Sequence, residues 1–296
     1  MADAKVCPTF NFMRARKRGQ GMRLGYHTIT WGGVVGDPTG VTSVKDLFYR
    51  ANGSMERAVA DIAAAGYGGV EMFDGNVADY AQTPHALSRL LGDAGLELVS
   101  VYTGANFVYD EILPDELHRV TRAADLAAQF GAAHLVVGGG ARRAAGTSAD
   151  DYKRLAAALD RVTDIAAHRG LSACYHPHLS TIVESPDELA RVLPNSSIGF
   201  CPDTAHLVAG GGDPAALIRE YPDRVRHVHL KDVSLDPLTF LPLGQGVVDL
   251  TDVYAALNET GYDGWLVVEL DSYDGDPAEA ARISKSYLDG LLGSGG

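Results

Sequence analysis

HVHLKD, residues 227–232, places two imidazoles on alternate positions of an apolar, β-compatible run and follows them at once with Lys231 and Asp232. In an extended strand residues i and i+2 share a face, so His227 and His229 point the same way. Three more runs of this kind flank it: CYHPH at 174–178, FCPDTAH at 200–206 and LVVELD at 266–271. Each begins in apolar residues and ends in a side chain able to bind a metal or move a proton, and Glu71 after GGV continues the series. Polar chemistry gathered at the C-terminal ends of several buried strands points to an α/β barrel, whose sites are built on that face.

Working outward, β-branched runs alternate with Ala/Leu-rich amphipathic segments through eight cycles. Strands are expected near 23–30, 68–73, 96–102, 132–138, 171–176, 197–202, 225–230 and 265–270, and helices near 54–65, 84–94, 114–130, 149–169, 186–193, 213–221, 250–260 and 277–291. Ser54, Ser148 and Ser185 stand where N-caps belong, Thr83 precedes Pro84, and glycine follows the helices in AAAGYGG, GDAGLEL and AHRGLSA. These units predict a (β/α)8 TIM barrel in one α/β domain over 22–296, with an N-terminal extension over 1–21. The extension ends in the basic run RARKRGQG, read as a surface-draped arm with a targeting or contact segment as the alternative. A doubly wound sheet would carry GxGxxG after its first strand, and YHTITWGG at 26–33 offers none.

A chain of 296 residues, 46% of them hydrophobic, can bury the core of such a barrel. Its formal net charge of −13 argues against a nucleic-acid partner, because affinity for phosphates rests on Lys and Arg displacing counterions. No apolar run approaches the roughly 20 residues that cross a bilayer, and the N-terminus lacks the apolar core of a signal peptide. Cys7, Cys174 and Cys201 form no CxxC pair, which speaks against a disulfide scaffold and a thiolate zinc site and fits a reducing cytoplasm. The expectation is a cytoplasmic protein acting on a small molecule, with neither membrane nor nucleic acid as partner.

Asp203, His229 and Glu269 supply two carboxylates and one imidazole from three consecutive expected strands, a donor set suited to Mn2+, Mg2+, Co2+ or Zn2+. A fourth ligand should come from the preceding strand. Glu184, in the loop HLSTIVES, is favoured, with His176 and His178 as alternatives. Each acid also has a plainer role to weigh: Asp203 as cap of the helix that follows, Glu184 at the Ser185-Pro186 helix start, Glu269 as an ion-pair partner of Lys231 or Arg226. His206 and His227 read as supporting neighbours or substrate contacts rather than ligands. Glu71, His178, His227 and Trp31 are the substrate-binding candidates, and Trp31, Tyr26, Tyr102 and Phe107 either wall the site or fill the core.

With these residues in view, the chain resembles the xylose-isomerase-like superfamily of barrel enzymes, and within it the sugar-phosphate isomerase/epimerase and inosose dehydratase group. YHPHLSTIVES at 175–185 resembles the YHxHxGT-type segment of the inosose dehydratases, CPDTAHLVAGGGDP at 201–214 their DTGH segment with AGGDP, and HVHLKDV their HVHLKD. LGQGVVDL at 243–250 is similar to the PGQG-like turn of the wider family and GYDGWLVVELD at 261–271 to its closing strand. The likeness runs from about Met22 to the C-terminus. It implies that Asp203, His229 and Glu269 are metal ligands, joined by a Glu on or after the fifth strand. The chain departs from many epimerases in ending its fifth strand with Tyr175-His176 where they have Glu. The catalytic subunit of bacterial C-glycoside deglycosidases shares the barrel and would fit an imidazole base there.

What the resemblance implies chemically is α-proton abstraction from a keto-sugar, oxidised glycoside or inosose, with enediolate formation assisted by a divalent metal, Mn2+ in the first place. His176 is the expected base, near working pH by its unperturbed pKa, and Lys231 or His206 the group that stabilises or protonates oxygen. With one imidazole base, β-elimination is favoured over ketose 3-epimerisation or sugar isomerisation. Family members often associate as homo-oligomers, and the deglycosidases with a second subunit type. The readings from other classes are an apurinic endonuclease of the same superfamily and a non-catalytic sugar-binding barrel.

Overall fold

The computed structural model describes residues 21–32 and 48–293. The expected extension over 1–21 lies outside them except for Gly21. Strands β1 Arg23–His27, β2 Gly69–Phe73, β3 Glu97–Ala105, β4 His134–Gly139, β5 Ser172–Tyr175, β6 Gly199–Phe200 and β7 Val228–Leu230 are followed by a hairpin, β8 Asp232–Leu235 and β9 Leu238–Leu241, and by β10 Trp265–Val268. The helices are α1 Met55–Ala64, α2 Asp74–Ala78, α3 Pro84–Ala94, α4 Leu113–Gln129, α5 Ala149–Ala167, α6 Pro186–Val192, α7 Thr204–Ala209, α8 Pro214–Glu220, α9 Leu250–Glu259 and α10 Pro277–Gly293. Eight strands form one parallel sheet in the order β6-β5-β4-β3-β2-β1-β10-β7. The seam between β6 and β7 is closed by bridges Phe200↔Val225 and Asp203↔His229, with Arg226 N donating to Phe200 O at 3.0 Å and His229 N to Pro202 O at 2.9 Å. The result is a TIM barrel in one domain.

Local chemistry explains the element ends. Ser148 and Ser185 each form a capping box, with Asp151 and Glu188 as reciprocal partners, and Ser54 caps α1 through Arg57 N. Pro84 starts α3 and Gly95 ends it at φ 69, a conformation that costs a side chain with a Cβ. The structure departs from the expectations at four places. The strand expected to run to about 30 ends at His27 and Thr28–Trp31 is a 3-10 helix, the short helices α2 and α7 occupy strand-to-helix loops, and 232–241, for which no element was expected, forms the hairpin β8–β9. In the hairpin Val233 and Phe240, paired across it near its base, are buried, while Leu235 and Leu238, paired on the same face next to the turn, are exposed.

Two apolar layers hold the barrel. The larger lies between sheet and helices and takes in Tyr26, Trp31 and Phe107; Trp31 donates its indole N–H to Asp61 at 2.8 Å. Inside the barrel, Val99, Trp265 and Val267 fill the N-terminal end. Gly69 makes room for them, since a Cβ there would lie 2.4 Å from Val99 Cγ2 and 2.8 Å from Trp265 Cη2. Toward the other end the interior wall is Phe73, Tyr102, Val136, Cys174 and Cys201. No helix among the described residues is long and apolar enough to cross a membrane.

Candidate metal centre at the barrel mouth

Strand register assembles the mouth. Val267 is level with His229, Glu269 N donates to Leu230 O at 3.0 Å, and the seam bridge sets Asp203 opposite His229. His176 follows β5, its N–H bonded to Val137 O. Four side chains thus converge, all buried: His176, Asp203, His229 and Glu269 each offer a donor atom within 4.8 Å of the others. That is close to the span of a first coordination shell, whose ligands stand about 2.0–2.2 Å from the ion. His176 Nε2 is 3.3 Å from Asp203 Oδ2 and 3.6 Å from Glu269 Oε2, and His229 Nδ1 is 2.8 Å from the same Glu269 oxygen.

Asp203 takes the helix-cap role weighed for it and keeps one oxygen for the cluster. Oδ1 caps α7, accepting from Ala205 N and His206 N at 3.0 Å each, which leaves Oδ2 for the cluster. Glu184 lies apart: its carboxylate pairs with Arg142 at 2.8 Å and accepts from Ser180 N. The loop after β5 keeps Glu184 at the surface beside α6, and His176, which leaves the strand itself, occupies the fourth place. His176, expected as the base and held as an alternative fourth ligand, is thus among the potential ligands.

Beside the cluster, Lys231 Nζ stands 2.8 Å from Asp271 Oδ1, 3.0 Å from Glu269 Oε2, 3.2 Å from Asp203 Oδ2 and 3.1 Å from His206 Nε2. His206 stacks on His178 with ring centroids 3.7 Å apart, and Phe240 of the hairpin covers both His206 and the Lys231 ammonium. His178 Nδ1 is 2.6 Å from Leu179 O, an acceptor, so its proton sits on Nδ1 and Nε2 keeps a lone pair. Asp271 is a site residue that the sequence reading passed over. It lies two positions beyond Glu269, the spacing that puts both on one face of an extended segment.

Glu71 and His227 lie deeper, below the cluster and inside the barrel, fully buried. His227 Nε2 is 2.9 Å from Glu71 Oε2, which also accepts from Ser100 Oγ. Neither side chain lines the mouth. Trp31 belongs to the outer core and packs edge-on against Tyr26; of the four candidate wall aromatics, Tyr102 is the one inside the barrel, 5.4 Å from the His176 ring. Asp232 is absorbed in structure, accepting from Val233, Gly244, Gly246 and Val248 N–H groups at 2.8–3.1 Å and so folding the LGQGVVDL turn.

Electrostatics separates these groups. Burial pushes imidazoles down, and it lowers His27 and His178 to about 4 and His206 well below the usual range. For His229 burial acts in the same direction but is outweighed by the Glu71 and Glu269 carboxylates, which hold it well above that range; His176 is raised by Asp203 and Glu269 against its burial. Burial would raise Glu269 and Asp203, yet Lys231 above all holds both down, while Asp271 is pushed up by burial to about 6 despite Lys231. Three buried carboxylates, of Asp203, Glu269 and Asp271, face one buried ammonium, and a fourth, of Glu71, lies beneath His229. A buried excess of negative charge with oxygen and imidazole donors and no thiolate fits a divalent cation.

Residues 59–291 match the model of the xylose isomerase-like TIM barrel family. The chain belongs to that family. Among characterised relatives, the inosose dehydratase of Lacticaseibacillus casei is 30% identical over 278 residues, 81% of this chain and 90% of the relative. The inosose dehydratase of Geobacillus kaustophilus (strain HTA426) is likewise 30% identical over 278 residues, covering 81% and 88%. Among solved structures, the IOLI protein with a binding zinc atom superposes with a TM-score of 0.71 at 16% identity, over 92% of this chain and 99% of that one, a likeness of fold. As a member of this xylose isomerase-like family the protein is an enzyme, a lyase or an isomerase.

Proposed function

We propose that the protein is a divalent-metal-dependent lyase that acts on an inosose or a related keto-sugar by removing the proton α to the ketone and expelling the β substituent. The supporting observation is the distribution of proton carriers. Among the described residues of the mouth, His178, His206 and Lys231 form one contiguous group beside the four potential ligands, and Tyr102 stands near His176 within the apolar wall. Elimination on one face needs a base and an acid close together, whereas epimerisation calls for bases on opposite faces. The identity of the relatives as inosose dehydratases supports the same choice.

His176, Asp203, His229 and Glu269 would hold the ion, Mn2+ first among the candidates. When bound, it supplies Lewis-acid polarisation of the ketone and an adjacent hydroxyl. His178 presents the Nε2 lone pair that takes the α proton, because its own proton is committed to Leu179 O. The electron pair of the broken C–H bond moves toward the carbonyl oxygen and then expels the β oxygen. Lys231, fixed by Asp271 and bonded to His206, delivers the proton that lets that oxygen leave as water. Phe240 roofs this pair and keeps bulk water from it. Glu71, His227 and Trp31 drop out as substrate contacts, and His178 takes over the base's role from His176. A 3-oxo-C-glycoside would be cleaved by the same sequence of steps with a different leaving group.

The test is incubation with inososes, 3-oxo-glycosides and ketohexoses in the presence of Mn2+, read by product mass and by α-proton exchange in deuterated water. Loss of the elements of water from an inosose is the expected result. A product of unchanged mass would move the protein to the isomerases, and no turnover of any of the three classes would favour a binding barrel.

A further inference from the structure

Beneath the centre, His229 is wedged between two carboxylates. Its Nδ1 stands 2.8 Å from Glu269 Oε2 and its Nε2 2.9 Å from Glu71 Oε1. An imidazole that gives one nitrogen's lone pair to a metal ion carries a single proton and can donate to only one of them. Which carboxylate receives it follows from the surroundings of Glu71. His27 Nδ1 accepts the Ile29 N–H at 2.9 Å, so the His27 proton is on Nε2, which points to Glu71 Oε1 at 3.5 Å. The other oxygen takes Ser100 Oγ–H and faces His227 Nε2. Glu71 Oε1, His27 Nε2 and His229 Nε2 have no hydrogen-bond partners elsewhere, and all are fully buried. Glu71 is thus an acceptor-only group enclosed by donors, and an unprotonated His229 Nε2 directed at it would be a buried repulsion.

The geometry assigns Glu71 as the positioning residue of the centre: it takes the Nε2 proton of His229, fixes the tautomer that turns the Nδ1 lone pair toward Asp203, His176 and Glu269, and is held in place by His27, Ser100 and His227. The assignment rests on the metal-binding reading above. A carboxylate on the far nitrogen of a ligating imidazole orients the ring and makes it more basic, and loss of such a partner costs about 10–100-fold in metal affinity. Glu71 on β2 and its three supports come from four parts of the barrel wall, His27 at the end of β1, Ser100 on β3 and His227 just before β7, so the barrel's register, not a local motif, places them.

Co2+ titration of the metal-free protein, followed by visible absorption, tests both levels. The unmodified protein should take up one Co2+. Glu71→Gln, which keeps the shape and removes the charge, should bind it about 10–100-fold more weakly with an altered absorption spectrum, while Ser100→Ala should change affinity only a fewfold. Equal affinity and spectrum in Glu71→Gln would overturn the assignment, as would a second Co2+ in the unmodified protein that Glu71→Gln alone abolishes, since Glu71 would then be a ligand of its own site. No uptake by the unmodified protein would remove the centre itself, and Glu71's role with it. Should Glu71→Gln not fold, histidine 15N NMR of the unmodified Zn2+-loaded protein decides: protonated Nε2 and metal-bound Nδ1 on His229 are expected, and the reverse tautomer refutes the proposal.

Discussion

The two ends of the barrel interior are built from the same strands and have opposite contents. β10 enters with Trp265, continues with Val267 on the same face and reaches Glu269 beyond its last residue, so about 13 Å of extended chain separate an apolar plug from a buried carboxylate. At the plug end the Arg23 guanidinium lies 3.7 Å over the Trp265 ring and pairs with Glu97, so charge there stays at the surface and covers the tryptophan. At the mouth charge is buried, with the carboxylates of Asp203, Glu269 and Asp271 around Lys231 and the imidazoles beside them. The difference teaches which end stabilises the fold and which holds a site: packed apolar volume favours folding, whereas buried like charges oppose it unless a cation joins them.

The sharpest way to break that division is to remove charge at the mouth. Asp203→Asn retains an oxygen able to cap α7 while removing the charge, and Glu269→Gln removes the charge just beyond β10. Both should abolish stoichiometric metal by elemental analysis and lower turnover about 1,000-fold or more, a loss of about 4 kcal/mol in transition-state stabilisation, with the metal-free fold intact by circular dichroism. Full metal content in both variants would detach these acids from the centre. At the other end, Trp265→Ala should cost about 3–5 kcal/mol in urea unfolding while the folded fraction keeps its metal; coincident loss of metal would show the two ends to be one unit. Gly69→Ala, which presses a methyl onto Val99 and Trp265, should cost about 1–3 kcal/mol by the same measurement, and a neutral result would mean that the plug can yield.

Asp151 on α5 belongs to neither end and calibrates the exterior. Burial raises its pKa, but Arg143 at 2.7 Å and the Ser148 donors outweigh it and hold the carboxyl at about 2. Because the folded pKa lies below the unfolded one, the stabilisation is complete above about pH 4 and fades as pH falls toward 2. Asp151→Asn should therefore lose about 1–2 kcal/mol at pH 5 and converge with the unmodified protein near pH 2; a constant gap across that range would point to a role other than charge. The smallest effect is expected at Glu184→Gln, which loses only a half-exposed pair with Arg142 worth about 0–1 kcal/mol. Its Co2+ affinity should stay within about twofold, and weakening on the scale of Asp203→Asn would return Glu184 to the centre.

Much of the site was legible because strand periodicity is short-range. The i, i+2 rule pairs His227 with His229 and would have paired Glu269 with Asp271 had it been carried one step further. Cap signals at Ser54, Ser148 and Ser185 read correctly for the same reason, since each involves atoms within one helical turn. Glu184 shows the limit of that reading, because an acid after a strand has the right chemistry whether its loop folds inward or, as here, toward Arg142. Depth was equally invisible: His227 and His229 share a face, but the first sits below the mouth with Glu71 and the second in it.

The amino-acid sequence by itself determined the strand–helix alternation, the face on which the imidazoles and acids stand, and the end of each strand that carries them, because period and capping are properties of neighbouring residues. Only the tertiary structure decided which of those groups meet. His27, Glu71, Ser100 and His229 lie on separate strands, and it is the closure of the barrel and the register across each parallel pair that bring one carboxylate beneath one imidazole.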